Sequence, residues 1–418
     1  VDDETRITAH DKNSCTEDAI GGVCRFRSRI IPLSLSKHLP ALDGLRGAAV
    51  VLVIASHAFP MVHELPWTVK RFSNLGFYGV QLFFVVSCVT LANSWRRSEA
   101  AGPPNLQRFA LRRVFRIAPA YFLAAIGYFW LMRPPSIDAA RLVTFVTFTN
   151  GWTPAQMPTV PGVWVGVPGG WSIEAEFAFY ALFPVLIVAL RGITRALAAF
   201  ILSLPLAWIA NAVALTIYEP IYGATATDQF LYYWLPNQLP VFLCGLVAYE
   251  VVAECRSEGK FQAIGRRIAA IGPVLLGLCV IAFLVLAILP WPRLPRPDHA
   301  FLPSHVIAAV AFSGAVVIFG LRPMALVVNP LVVGLGKASF SAYLIHFAVI
   351  SGLEHMLPSS VFAQTGIPAA LTSGILFLVV LTLTGGIAQA TYRVIELPAI
   401  RLGGLVVGMS ARRPLTST

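Results

Sequence analysis

The sequence predicts an all-α fold, a polytopic membrane helix bundle of about ten transmembrane helices. Three observations predict it. Of 418 residues, 57% are apolar and only 12% are Asp, Glu, Lys or Arg, about half the roughly 25% charge content of soluble domains. The apolar residues gather in runs close to the ~20 residues that a helix needs to cross about 30 Å of hydrocarbon. The basic residues gather between alternate runs. The first observation excludes a soluble enzyme with one core, because too little charge is present to cover its surface. The net charge of +11 therefore reads as membrane topology, not nucleic-acid binding, and the apolar runs exclude a disordered chain.

The ten spans fall in order at about 44–62, 75–95, 117–133, 172–190, 196–217, 235–253, 268–289, 301–320, 338–357 and 370–392. With the N-terminus in the cytoplasm, six basic residues lie outside: Lys70, Arg71, Arg133, Arg141, Arg293 and Arg296. Arg46 and Arg393 lie at or within spans, and the other 23 of the 31 fall inside. Such asymmetry supports an even number of spans with both termini cytoplasmic. Residues 1–37 then form a flexible cytoplasmic tail, without the apolar stretch of a signal peptide. Residues 38–402 form one transmembrane domain, and 403–418 a short cytoplasmic tail. Residues 150–171, rich in Gly, Pro and Trp, read as an ordered or re-entrant outer loop. Residues 290–299 form a Pro-rich connector unsuited to a regular helix. No repeat of solenoid length occurs. The six cysteines show no paired spacing, so neither a disulfide framework nor a metal site is expected.

Four groups of polar residues interrupt the apolar pattern. In the first span, Arg46 and His57 stand eleven residues apart, which returns them to within about 20° of one helix face. Asp43 lies one turn before Arg46. The rise between Arg46 and His57 is about 16 Å, placing His57 about halfway across. An ionisable group at that depth marks a functional site by default, and histidine suits proton transfer from a hydroxyl. The spacing serves equally well a polar residue that bridges helices. Arg112, Arg113 and Arg116 stand at the inner mouth of the third span, where they can grip phosphates or simply anchor the helix. Glu174 and Glu176 open the fourth span. They point about 200° apart, so at most one faces a given site; a carboxylate there can orient an imidazole or complement the helix dipole, with Ser172 as cap. Ser339, Ser341, Tyr343 and His346 give the ninth span a polar stripe, which glues helices as readily as it lines a cavity. Glu396 reads as structural, with Arg393 as its expected partner. His63, His299, His305 and His355 read as solvated or helix-end residues.

Taken together, these segments resemble the acyltransferase 3 family of integral membrane proteins. The resemblance rests on six blocks in the family's order: DGLRGAAVVLVIASH with its R-x10-H spacing, GVQLFFVVSC, RRVFRIAPAY, WSIEAEFAFYALFP, SFSAYLIHF and VIELP. They cover about residues 38–402. The resemblance implies an enzyme of the bacterial inner membrane that moves an acyl group, usually acetyl, from a cytoplasmic donor to a hydroxyl. It implies a catalytic His57 with Arg46 as partner, an acyl-CoA-associated Arg113 and Arg116, and Glu176 rather than Glu174 as the glutamate of the Trp-Ser block. Cys88 departs from the family, which usually has Gly there, and puts the packing of its block in question. No SGNH hydrolase-like domain follows, so the membrane domain itself is expected to reach the acceptor.

The expected reaction uses acetyl-CoA as donor substrate, with no tightly bound cofactor and no metal. Its phosphates meet Arg113 and Arg116. His57 acts as general base on the acceptor hydroxyl or carries the acyl group transiently; the sequence leaves both open. Arg46 steadies the donor or the developing charge, and Glu176 orients the acceptor or His57. The acceptor is expected to be a carbohydrate or lipid-linked glycan, with the 150–171 loop shaping its site. The competing reading is a transporter or flippase for a lipid-linked sugar, which ten spans and intramembrane polar groups also fit. A third is a structural partner in an envelope-synthesis complex.

Overall fold

The computed structural model describes residues 40–133, 139–156, 166–289, 291–296 and 301–412. The expected N-terminal tail lies outside these residues, as do His299, residues 157–165 of the expected outer loop and 413–418 of the expected C-terminal tail. The described chain is helical. Its first half holds α1 (Pro40–Ala58), α2 (Trp67–Asn74), α3 (Gly79–Ala101), α4 (Leu106–Met132), α5 (Ala139–Val146), α6 (Trp171–Ala189), α7 (Ile193–Tyr233) and α8 (Leu235–Arg256). Its second half holds α9 (Gln262–Ala270), α10 (Gly272–Ile288), α11 (Ser304–Leu321), α12 (Pro330–Lys337), α13 (Ser339–Met356), α14 (Ser359–Phe362), α15 (Gly366–Thr391) and α16 (Leu397–Arg412). No β-strand occurs among the described residues; one isolated bridge joins Glu64 to Thr365.

Among the described residues seven stretches are long and apolar enough to cross a membrane, and nine if each of two bent pairs counts as one span. The longest, Ile193–Arg256, exceeds any bilayer at 1.5 Å per residue. It divides at Gly223, where the helix is kinked (φ 78°, ψ 163°), and at Trp234, where the backbone turns extended (φ −73°, ψ 156°). The two helices run antiparallel. Glu250 of α8 accepts from the Gly192 N–H at the start of α7 (3.1 Å), while Asn237 near the start of α8 pairs with Asn211 (2.8 Å). This hairpin holds two of the ten expected spans. Polar pairing suits such an interface, since hydrocarbon offers a buried amide no other partner.

The bent pairs are α9 with α10 (73°) and α12 with α13 (81°). Exposed apolar side chains then mark lipid-facing surfaces: Val274, Leu278 and Ile281 on α10, and Ile201, Leu206 and Ile209 on α7. In water such a band would be an association site; around a bundle of spanning length it is the lipid contact.

The third span differs from its expected limits of 117–133. The helix starts at Leu106, just after the Gly102–Pro103–Pro104 break, and the Asn105 side chain caps it by accepting from the Arg108 N–H at 2.9 Å. The arginines of 108–116 are thus helical residues projecting from the apolar core of α4, not loop residues. The chain end also differs in form: residues 397–412 are helical, and α16 packs on α4, with Gly403 against Phe115.

Cys88 is buried on α3, 1% exposed. Directly opposite stands Gly245 of α8: a methyl built there would come within 2.9 Å of the Cys88 Cβ and 2.6 Å of the Val85 carbonyl. The close approach is kept, with the small residue on the partner helix. Gly245→Ala should therefore lower stability by about 1–3 kcal/mol, the usual range for overpacking. Adding Cys88→Gly should recover part of that loss, measured by thermal unfolding of the detergent-purified single and double variants.

Candidate active site

Glycines let α1 be enclosed tightly enough to carry its polar residues. A side chain at Gly44 would collide with the Val327 backbone, one at Gly47 with that of Val332, and one at Gly336 of α12 with the Asp43 carbonyl. The Asp-Gly-Leu-Arg-Gly run thus buries its glycines and turns Arg46 inward.

Arg46 sits beside Asp43 (3.7 Å) and donates to Thr90 Oγ1 (3.3 Å). It lines a cavity of about 70 Å³ with Ser87, Arg116, Glu176, Tyr180 and Tyr343. Glu176 accepts hydrogen bonds from Ser87 Oγ and, at 2.5 Å, from Tyr180 OH. Glu174 turns the other way, as their spacing requires, and packs against Gly151.

His57 opens on a different cavity. Its Nδ1 lies 2.8 Å from the Val53 carbonyl and 3.2 Å from Ser56 Oγ. A carbonyl only accepts, so the proton resides on Nδ1 and Nε2 keeps its lone pair. That ring lines a cavity of about 860 Å³ together with Trp171, Tyr232, Tyr233, Arg71 and Phe347. Trp171 and Tyr233 stack with centroids 4.3 Å apart. Gly169 and Trp171, at the end of the expected outer loop, belong to this lining.

Val80 and Tyr343 line both cavities and separate Arg46 from His57. Tyr343 OH donates to the Gly169 carbonyl (2.8 Å) and accepts from Ser172 Oγ (2.9 Å). Ser172 is therefore a tether for Tyr343, not the cap of α6. Glu176 lies on the Arg46 side of this partition, so the expected pairing of Glu176 with His57 does not form. Arg113 and Arg116, one turn apart, also part company. Arg116 lines the Arg46 cavity, while Arg113 lies over the Phe109 ring (5.8 Å) and lines a third cavity of about 450 Å³ with Arg108, Arg112, Trp95 and Pro104, although it also donates to Tyr180 at the border of the Arg46 cavity.

Two further residues are placed by the structure alone. His346 lies beside His57, with ring centroids 5.2 Å apart; the sequence marked it only as part of a polar stripe. Tyr128 of α4 bridges one turn of α13, donating to the Leu344 carbonyl (2.7 Å) and accepting from the Ala348 N–H (3.1 Å). No periodicity signals a contact between helices so distant in sequence. Glu396, expected beside Arg393, instead accepts from the Ser341 N–H (2.9 Å) and its hydroxyl, a carboxylate at the N-terminal turn of α13 where the helix dipole favours it. His305 is fully buried, its ring nitrogens facing the Arg293 and Asn237 carbonyls at 3.1 and 2.9 Å. It ties the Pro-rich connector to α8. Among the described residues no cluster of His, Cys, Asp or Glu has the makings of a metal site.

A membrane bundle with these blocks can be compared with known proteins. Residues 39–388 match the family model described as an acyltransferase domain, acyltransferase 3. The chain belongs to this family. Acyltransferase MdmB of Streptomyces mycarofaciens is 25% identical over 397 residues, covering 91% of this chain and 94% of its own length. O-acetyltransferase OatA of Staphylococcus aureus (strain NCTC 8325 / PS 47) is 25% identical over 396 residues, covering 88% of this chain and 58% of its own. The chain thus spans a little over half the length of the S. aureus relatives it matches. No solved structure matches.

If Tyr343 and Val80 form the partition, the cavities should differ in access. In a cysteine-free background, Ser87→Cys should resist a maleimide added from the face on which the His57 cavity opens. It should become labelled when Tyr343→Ala is added. Equal labelling rates in the two backgrounds would show that the wall lies elsewhere.

Proposed function

We propose that this protein is a membrane O-acyltransferase that moves an acyl group, acetyl in the first instance, from acyl-CoA to a hydroxyl of a carbohydrate or lipid-linked glycan. One observation carries the reading: a histidine with Nδ1 held by a backbone carbonyl and Nε2 free of protein partners lines a wide aromatic cavity, back to back with an arginine-lined one. Family membership and the names of MdmB and OatA support acyl transfer as the chemistry.

The donor belongs on the arginine side. Arg108, Arg112 and Arg113 offer guanidinium forks for the phosphates of the nucleotide end, which bidentate contacts suit. Arg116 and Arg46 stand further in, placed to offset charge that develops as thiolate leaves. The acceptor belongs in the His57 cavity, where aromatic faces such as Trp171 and Tyr233 suit sugar rings. His57 Nε2 takes the hydroxyl proton as the oxygen attacks the thioester carbon, and the departing CoA sulfur is protonated in turn. The charge asymmetry of the sequence puts the arginine side, with both termini, in the cytoplasm.

His57→Ala should abolish transfer of labelled acetyl from acetyl-CoA to membrane glycans while the protein still purifies as a folded species; near-normal turnover removes His57 from the mechanism. Arg113→Ala should raise the acetyl-CoA KM roughly ten- to hundredfold, the effect of losing one charge-assisted hydrogen bond, whereas Arg116→Ala should lower kcat by a similar factor. Arg→Lys should rescue each only in part. If these arginines merely anchor α4, donor KM in the first variant and kcat in the second will stay at the wild-type value and only membrane yield will fall. Reporter fusions should place the C-terminus in the cytoplasm; an external C-terminus overturns the assignment of the donor side.

A further inference from the structure

The His57 imidazole is placed to receive a proton inside the bundle, yet no carboxylate stands beside it. The groups around the ring are the Val53 carbonyl, Ser56 Oγ, Phe77, Phe347 and His346. Val53 O already accepts from Nδ1 and from Ser56 Oγ (2.8 Å). Phe77 and Phe347 meet the ring at 87° and 63° and present no lone pair. His346 is different. It is fully buried, 0% exposed. Its Nδ1 is 2.7 Å from the Tyr343 carbonyl, which fixes the proton there and leaves Nε2 as an acceptor. That Nε2 is buried and has no hydrogen-bond partner.

A buried acceptor left unmet is unfavourable, and native structures retain few without a reason. Two imidazoles joined by an N–H···N bond of about 3 Å have centroids about 5 Å apart. The observed 5.2 Å permits that separation, and since no hydrogen bond joins the rings at rest, one forms only when the two nitrogens turn toward each other. The backbone that carries His346 is itself held. Tyr128 bridges Leu344 and Ala348 on either side of it, and Glu396 grips the start of the helix at Ser341.

We propose that His346 is a positioning residue for His57, its Nε2 accepting a hydrogen bond from the His57 Nε2–H that forms when the ring takes the acceptor's proton. The Val53 carbonyl holds Nδ1–H, the place a carboxylate takes in a catalytic triad, and the neutral His346 offers the other N–H of the cation a lone pair without placing a second charge in the bundle. In the step, the acceptor O–H bond breaks and its proton goes to His57 Nε2. While it resides there this Nε2–H is shared with the His346 Nε2 lone pair, and the same proton then passes to the departing CoA sulfur, so His346 gains and loses nothing. The proposal rests on the reading of His57 as the general base.

The test uses purified full-length chain in lipid nanodiscs, with acetyl-CoA as the probe and release of the CoA thiol as the readout. His346→Phe keeps a ring of similar size and removes both nitrogens. His346→Asn keeps a polar group near Nδ1 only, whereas His346→Gln carries an amide oxygen to the Nε2 position. His346→Phe and His346→Asn should each lower kcat roughly ten- to hundredfold with the acetyl-CoA KM unchanged, and His346→Gln should restore most of the loss. Wild-type kcat in His346→Phe, or an equal fall in the Asn and Gln variants, overturns the pairing. Should the Phe variant not fold, the Gln and Asn pair decides alone. His57→Ala runs beside them. Full turnover in that variant overturns the base assignment and the pairing with it, whereas loss there with a wild-type His346→Phe overturns the pairing only.

Discussion

A helix that carries an arginine and a histidine through a membrane must be enclosed closely enough that neither meets lipid, because hydrocarbon leaves a polar group no other partner. For α1 that enclosure is made by glycines. Gly44 and Gly47 admit the 327–332 backbone, Gly336 lets α12 reach the Asp43 carbonyl, and Gly76 and Gly79 lie against the Leu52 and Ala49 carbonyls on the other side. With its backbone in contact on both flanks, α1 can hand its remaining surface to two cavities. Arg46 faces one and His57 the other. The tight bend between α12 and α13 follows from the same requirement. α12 must cross α1 near Asp43, while α13 must run along the bundle to bring Tyr343 and His346 level with His57.

The spans were legible because lipid imposes a length and an apolarity on each, and both are written locally. The α7–α8 hairpin shows this well: two runs of spanning length, 196–217 and 235–253, with the Gly223 kink and Trp234 between them. The shared orientation of Arg46 and His57 was legible for a similar reason, since helical periodicity fixes which face a residue occupies. Periodicity does not say which neighbour that face meets. Glu176 was placed correctly on its helix, yet its partners Ser87 and Tyr180 follow from how α3 packs beside α6. His346 and Tyr128 fall in the same class. Each looks like ordinary helix-bridging polarity until contacts more than 200 residues apart in sequence bring them to the His57 region. The extension of α4 back to Leu106 was missed because hydropathy ends where the arginines begin, whereas the helix ends where its backbone is capped.

Cys88 and Gly245 show how a departure from a family pattern is absorbed. What the α3–α8 contact requires is one small residue at the crossing, and either helix can supply it. A residue that looks anomalous in its own block therefore has its explanation in another block. Ser172 is a comparable case: its position at the start of α6 suits a cap, but its hydroxyl reaches Tyr343 and serves the partition instead.

That partition frames the chemistry proposed for the chain. In the proposed reaction donor and acceptor arrive from opposite faces, so neither substrate has to displace the other, but the reacting atoms must meet at one point. The arginine-side cavity near Arg46 measures only about 70 Å³, against about 860 Å³ on the histidine side. A cavity of the smaller size admits little more than the acyl end of a donor, which leaves the phosphates outside with Arg108, Arg112 and Arg113. The wide cavity has room for a ring-bearing acceptor. Tyr343 stands between them, tethered by Gly169 and Ser172, both of which lie where the outer loop enters α6. The segment that borders the acceptor cavity thus also holds the wall facing the donor. In this arrangement Val80 and Tyr343 are the boundary that the two cavities share.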